Sequence, residues 1–456
     1  MLFSCYDMGG TMPAQVLLYF KKLNTEGEVY LKKVLVILFL AAMLALVGVN
    51  LWAADRVTVT VMYNNNEFST DMAKQFEAVN PDIKLVMLET DTARYMAMCT
   101  AGSPPDIMRC NAAWIPYLVA HKMVLDITPY VRKAKYSLKQ SDFLPIIDTY
   151  RLKGKLYGFV KDWSPTLIGY FNKDAFTEAG IPFPKPTEPY TYQQMADIAR
   201  KLQKTEGDRV IRRGLAFWPG DINAQLELTL VSVGGKLYNS DGTKIILTSN
   251  PKVKVISKFF YDLAKEKVIP SPISPSETWE GSMFPGGRIG MIVYGYWYGA
   301  MAEGEQMKGK VGVMAAPTWD PKLPRISPSH NIVGGFISSK TKNPNEVYRV
   351  FDWFFAGQPA VDRAKSGWGV PAQKSLLEFM PNTTPFDKDR TVNLDFEMQK
   401  VKISNSSPYI LPDIYENSMR KYFELALKGE ISFDQFLVNV ENEVNKAIAD
   451  SRASMK

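Results

Sequence analysis

"RVTVTVMYNNNEFSTDMAKQFEAVNPDIKLVMLE", residues 56–89, decides the fold class. Valine and threonine alternate through its first eight residues, the period-two pattern of a strand. Met72, Ala73, Phe76 and Val79 then recur at helical spacing after Ser69, a hydroxyl suited to capping a helix start, and Asn80-Pro81 stops the run. "DIKLVMLE" returns to a strand. Strand, helix, strand implies a crossover, so parallel strands covered by helices are expected. The pattern continues with a helix over 92–101, a strand in "PPDIMRC" and a short helix in "WIPYLVAHKM". Beyond Gly158 come a strand in "TLIGYFN", a short helix in "DAFTEAGI" and a capped amphipathic helix in "TYQQMADIARKLQK". Helices are expected over 251–266, 344–356 and 432–448, and strands over 288–294 and 332–338. The class is α/β throughout, with no internal repeat and no low-complexity tract.

At 456 residues and 46% hydrophobic, the chain exceeds what one core usually serves, so two domains with a cleft between them are expected. The net charge is +7, and residues 1–54, with four lysines against three acids, hold little of it. The rest is spread without long basic runs, which argues against nucleic-acid binding. Residues 31–54, "LKKVLVILFLAAMLALVGVNLWAA", have the basic start, apolar middle and small-residue exit of a signal peptide. A retained membrane anchor is the competing reading, because Val34 to Ala54 is nearly long enough to span a bilayer. Asn50 and Ala53-Ala54 interrupt the run where processing would occur and favour cleavage. The protein is therefore expected to be periplasmic or extracellular, or membrane-anchored if the signal is uncleaved. Residues 1–30 are expected to be a misassigned extension, with translation starting near Leu31. In the mature chain Cys99 and Cys110 remain, either paired in an oxidising compartment or as two unrelated buried thiols.

Much chemistry is missing. The two histidines, His121 and His330, have no metal-ligand spacing and no neighbouring nucleophile, which removes histidine-based triads and most zinc enzymes. "GGRIG" lacks the lysine and spacing of a phosphate loop. No carboxylate pair is singled out for a glycosidase. No metal, no cofactor and no catalytic residue are expected.

Several segments occur in a meaningful order: "FEAVNPDIKL", "SPPDIMRCNAAWIPYLVAHKMVLDITPYV", "GKLYGF" with "LIGYFNKDAFTEAGI", "FPGGRIGMIVYGYW", "VGVMAAPTW" and "GGFISSKTKNPNEVYRVFDWFFA". Together they resemble the extracellular solute-binding proteins of ABC importers, in the maltose-binding-like sugar-binding branch, over residues 57–450. The resemblance implies a two-lobe periplasmic-binding-protein fold of the class II type, with the ligand in a cleft that closes by a hinge. Lobe one would hold 55–162 and 318–372, lobe two 166–310 and 378–456, with hinge segments near 162–166, 311–318 and 370–377. The implied function is capture of a sugar or oligosaccharide and delivery to the permease subunits of an ABC importer, by a monomer. The alternatives are a binding protein for another polar solute, such as a polyol or glycerophosphodiester, and an exported carbohydrate-active hydrolase.

A sugar offers hydroxyls at its rim and C–H patches on its faces, so its site needs polar groups at the edge and aromatic rings as platforms. By the family's pattern the loop after the first strand offers Tyr63, Asn64, Asn65 and Glu67, though amides this dense also suit a turn. Asn111 and Trp114 follow the "PPDIM" strand, with a helix cap and a core tryptophan as the competing roles. Asp162 and Trp163 sit in the first hinge, and Trp218 and Asp221 on the loop of "FWPGDIN". Gly334 and Gly335 would let backbone approach a ligand or serve a tight strand start. Trp368 lies between glycines, and Tyr415 sits where the second lobe contributes an aromatic. "MFPGGRIGMIVYGYWYGA", residues 283–300, resembles the family's lobe-two element in which a strand runs to the cleft and a glycine turn presents an aromatic, which implies Trp297 as the leading platform with Tyr296 or Tyr298 packed behind.

Overall fold

A computed structural model describes residues 56–455, apart from Ala134, Asp208, Pro219, Asp221 and Asn331. The signal segment and the extension before it lie outside the described residues. Val59–Val79 and Leu85–Lys456 form one compact unit.

The strands of the two main sheets are β1 (Val57–Met62), β2 (Ile83–Leu88), β3 (Ile107–Asn111), β4 (Phe159–Trp163), β5 (Gly169–Asn172), β6 (Lys204–Glu206), β7 (Arg209–Phe217), β8 (Ile289–Val293), β9 (Val311–Met314) and β10 (Ile332–Ile337). They form two five-stranded sheets, in the orders β2-β1-β3-β10-β4 and β9-β5-β8-β7-β6. In the first, β1 and β3 are parallel, whereas β10 runs antiparallel to both β3 and β4. In the second, β7 and β8 are parallel, and β5 is antiparallel to β8 and β9. The sequence-expected strand–helix–strand opening is present, with α1 (Thr70–Val79) between β1 and β2.

Each sheet has its own core. In the first lobe Phe68 stacks on Phe354 at 4.3 Å between ring centres, and Trp353 meets Phe76 edge-on at 5.3 Å. Trp353 and Phe354 come from α2 (Pro344–Ala356), which covers the sheet through its apolar stripe. The second lobe is built around α3 (Ile222–Ser232), whose residues are buried almost all round, as expected of a helix with no polar face. The final helix, α4 (Phe433–Ser454), buries Phe436, Leu437, Val440, Val444 and Ile448 against that core and runs past residue 448. No helix of the described residues is long and apolar enough to cross a membrane. Cys99 and Cys110 are separate thiols, Cys110 buried.

The chain crosses between sheets at places that differ from the sequence reading. Val311–Met314 is a strand of the second sheet. Trp319, assigned by sequence to lobe one, packs on Tyr192 and Phe259 of the second core, and Arg325 pairs with Glu397 on the same side. Only with Ile332 does the chain enter the first sheet. On the return, Ser375 still bonds Asp142 of the first lobe. The lobe limits implied by the resemblance are therefore displaced in this chain by where Trp319 and Arg325 are anchored.

Candidate functional site

The first wall of the site is polar and internally paired. The turn after β1 delivers Glu67, β3 delivers Arg109, and the guanidinium grips the carboxylate with Nη2 at 2.9 Å and Nε at 3.1 and 3.2 Å. Lys161 Nζ lies 2.8 Å from the other Glu67 oxygen and 2.9 Å from Asp162 Oδ2. Burial opposes ionisation of Glu67, but the charges of Lys161 and Arg109 overcome it and hold its carboxyl down at about 2. The same contacts raise Arg109 against the effect of burial.

Lys161 and Asp162 are sequence neighbours that both face the site, which a regular strand forbids because side chains alternate. The register supplies the reason: Val333 pairs with Asp162 but Gly334 with Val160, so Lys161 is the extra residue of a β-bulge.

The second wall is aromatic. The parallel strands β7 and β8 end together, at Phe217 and Val293, and Trp218 N–H donates to Val293 O at 2.9 Å. After β8, Gly295 takes φ +84°, a left-handed conformation that a side chain would disfavour, and a single helical turn follows at Tyr296–Tyr298. That turn buries Tyr296 and Tyr298 and turns Trp297 outward. Trp297 lies 6.1 Å from Trp218, 6.5 Å from Trp279 with rings nearly parallel, and 5.3 Å from Trp368. Beneath them, buried Arg390 packs its guanidinium 4.3 Å from the centre of the Tyr296 ring. It donates to Tyr296 O at 3.2 Å and to Gly367 O at 2.8 Å, the carbonyls immediately before Trp297 and Trp368.

The walls line a cavity of about 530 Å³: Asn64, Asn66, Glu67, Arg109, Lys161, Asp162 and Val333 on one side, and Trp218, Trp279, Trp297, Met301 and Trp368 on the other. Asn111 and His330 lie between them and also line an adjoining cavity of about 200 Å³. His330 ties three parts of the chain together. Its carbonyl accepts from Asn111 Nδ2 at 2.7 Å, its N–H donates to Thr166 Oγ1 at 2.9 Å, and its ring stands 3.8 Å from Glu227 of α3. Burial would push its imidazole down, but the bond to Glu227 and the charges of Glu227 and Glu416 bring it above its ordinary value.

Of the residues singled out from sequence, the structure gathers Asn64, Glu67, Asn111, Asp162, Trp218, Trp297 and Trp368 at this cavity. Asn111 also caps the short helical turn after β3, accepting from Ala113 N–H. Others are elsewhere. Tyr63 is buried and donates to Gly334 O at 2.8 Å. Asn65 is exposed and accepts from Thr70 N–H at the start of α1. Trp114 and Trp163 are buried, and Tyr415 lies in the second core. Gly334 and Gly335 serve sheet packing: a Cβ on them would stand 2.0 Å from Phe159 O and 3.1 Å from Met108 O. Asp221 lies outside the described residues. Sequence reading missed Asn66, Lys161, Trp279, Met301, Val333 and the placement of Arg109 and His330. Only Trp279 carried a usable signal, as a tryptophan in a proline- and serine-rich loop. Among the described residues no cluster of histidine, cysteine or carboxylate could hold a metal ion.

Residues 64–356 match the model of a family described as bacterial extracellular solute-binding protein. The sn-glycerol-3-phosphate-binding periplasmic protein of Shigella flexneri is 30% identical over 196 residues, which cover 40% of this chain and 43% of that protein. The chain thus matches less than half the length of such curated relatives. An ABC substrate-binding protein of Listeria monocytogenes, solved with cycloalternan, superposes with TM-score 0.72 at 21% identity, covering 87% of this chain and 100% of that one. The maltose/maltodextrin-binding domain of Bdellovibrio bacteriovorus, bound to maltotriose, superposes with TM-score 0.69 at 15% identity, over 86% of this chain and 100% of that one. These likenesses show the two-lobe fold. With well over half its length inside the family match, the chain belongs to the bacterial extracellular solute-binding proteins, a family of exported binding proteins rather than enzymes.

Proposed function

We propose that the protein captures a sugar or oligosaccharide outside the cytoplasm by closing its lobes on it, and hands it to the permease of an ABC importer. The observation that carries this reading is the contrast across the cavity: four indoles face a wall whose cations are already matched by carboxylates. Indole faces take the C–H patches of a pyranose, while Asp162, Glu67 and Asn64 remain able to bond its hydroxyls. A ligand touching both walls favours the closed state by its extra contacts. The ligands in the Listeria and Bdellovibrio structures support the sugar reading.

The glycerol-3-phosphate-binding relatives favour a second reading, a phosphorylated polyol. Against it, a phosphate would have to displace Glu67 or Asp162 from Arg109 and Lys161. Export by residues 31–54, a monomeric state and action without cofactor or catalysis belong to the same proposal. So do lobe limits near 59–163 with 332–380 for lobe one, and 169–326 with 385–455 for lobe two.

A thermal-shift screen of the mature chain over maltodextrins, mannooligosaccharides, monosaccharides and glycerol 3-phosphate tests it, with product analysis alongside. Stabilisation by an unaltered sugar is expected. Stabilisation by glycerol 3-phosphate alone would give the second reading, and turnover would sink both.

A further inference from the structure

We infer that a basic pocket in lobe two, at the opposite end of its strands from the cleft, binds an oxyanion of the phosphate type. The pocket holds about 270 Å³ and is lined by Arg209, Arg213, Lys267, Ser276, Glu277 and Arg288, among others. Its position follows from the sheet. β7 and β8 are parallel and send their C-terminal ends to the aromatic wall, whereas Arg209 opens β7, Arg213 pairs with Ile289 at the start of β8, and Arg288 immediately precedes it. Arg213 stands four residue steps before Phe217, roughly 13 Å at about 3.3 Å per residue.

The charge there does not balance. Glu277 is the single carboxylate lining the pocket, and it is shared by Arg209 at 3.4 Å and Arg288 at 2.8 Å. Arg213 is only 4% exposed, and its guanidinium donates to uncharged groups, Lys267 O at 3.1 Å and Ser274 O and Oγ at 3.1 and 3.3 Å. Burial lowers its pKa, with the charge of Glu280 acting the other way. Lys267 has no ion-pair partner among the described residues, and its φ of +59° is one that non-glycine residues rarely adopt. Ser276 Oγ is shut off from solvent without a hydrogen-bond partner. A buried guanidinium without a carboxylate is costly unless a counter-ion completes it. Its Nη groups already hold Lys267 O and Ser274, so Arg213 contributes its charge and its remaining N–H groups, Ser276 offers a further donor, and Lys267 and Arg288 supply charge at the rim. In the cleft every such cation faces a carboxylate, so the two sites are built for opposite ligands.

Isothermal titration of the mature chain with inorganic phosphate, against sodium chloride of equal ionic strength, tests the inference. Saturable phosphate binding is expected, weakened about tenfold or more in Arg288→Gln and in Lys267→Gln, since each removes one charge-assisted contact. Arg213→Gln should abolish it; should that variant not fold, the two exposed rim substitutions carry the test. Trp297→Ala should leave phosphate binding unchanged. Sedimentation with phosphatidylglycerol vesicles, lost in the same rim variants, would identify a lipid headgroup as the source of the oxyanion, and phosphate binding without sedimentation a soluble one. Phosphate acting no differently from chloride, equal binding in the rim variants, or loss of binding in Trp297→Ala would overturn the inference.

Discussion

The two walls of the cleft solve the same recognition problem in different ways. Lobe one presents charges that are buried, paired and locked by a bulge, so its polarity is fixed before any ligand arrives. The facing wall, three indoles of lobe two with Trp368 of lobe one beside them, presents ring faces, whose contribution is apolar area and whose cost in rotamer freedom is small. The difference teaches where each wall's free energy goes: the polar wall contributes first to folding, the aromatic wall first to binding.

The sharpest way to break that comparison is Glu67→Ala. Removing the shared carboxylate leaves Arg109 without its carboxylate and Lys161 with Asp162 alone, so urea unfolding should show a loss of roughly 3–5 kcal/mol. A loss under about 1 kcal/mol would mean that the network is not part of the fold. Acid offers a milder version. The Glu67 carboxyl sits near 2 in the folded protein against an ordinary 4.5, so its contribution is complete above about 4.5 and fades as pH falls towards 2. The difference corresponds to roughly 3 kcal/mol. Stability measured from pH 6 to 2 should fall more steeply in the native sequence than in Glu67→Ala.

On the aromatic side, Trp297→Ala should weaken sugar binding more than about tenfold, about 1.4 kcal/mol, while unfolding stays cooperative. An unchanged dissociation constant would remove that ring from the site. Arg390→Met keeps the buried bulk but frees the turns before Trp297 and Trp368, and an affinity loss of about fivefold is expected by calorimetry. The smallest effect belongs to His330. Its folded value is raised, so its contribution is present below about 6.5 and is lost as pH climbs through that higher value. The melting temperature should drop by about 1–2 °C more between pH 6 and 8 in the native sequence than in Glu227→Gln.

The fold was largely legible because its signals are local: alternation in "RVTVTV", helical spacing after Ser69, and the stripe ending at Ile448 all describe segments that the structure forms. The aromatic wall was partly legible for the same reason, since a glycine before three aromatics marks a turn whatever lies opposite. The polar wall was legible in Asn64, Glu67 and Asp162 but not in its cations. Lys161 reaches the cavity through a register shift against β10, and Arg109 through pairing with a residue of another turn, and neither fact is written in the residues' own neighbourhood. Tyr63 and Trp163 failed for the complementary reason. Strand-end residues were read by proximity to the cleft, although each turns its ring into a core.

Arg390 gives the aromatic wall a further property. With one guanidinium it holds the carbonyls before Trp297 of lobe two and Trp368 of lobe one, so the two rings are fixed against each other where the chain returns between the lobes. A solute that first lands on the indoles therefore meets a preassembled palm. The entropy of arranging those rings was spent when the chain folded, and lobe closure has only to bring the polar fingers down.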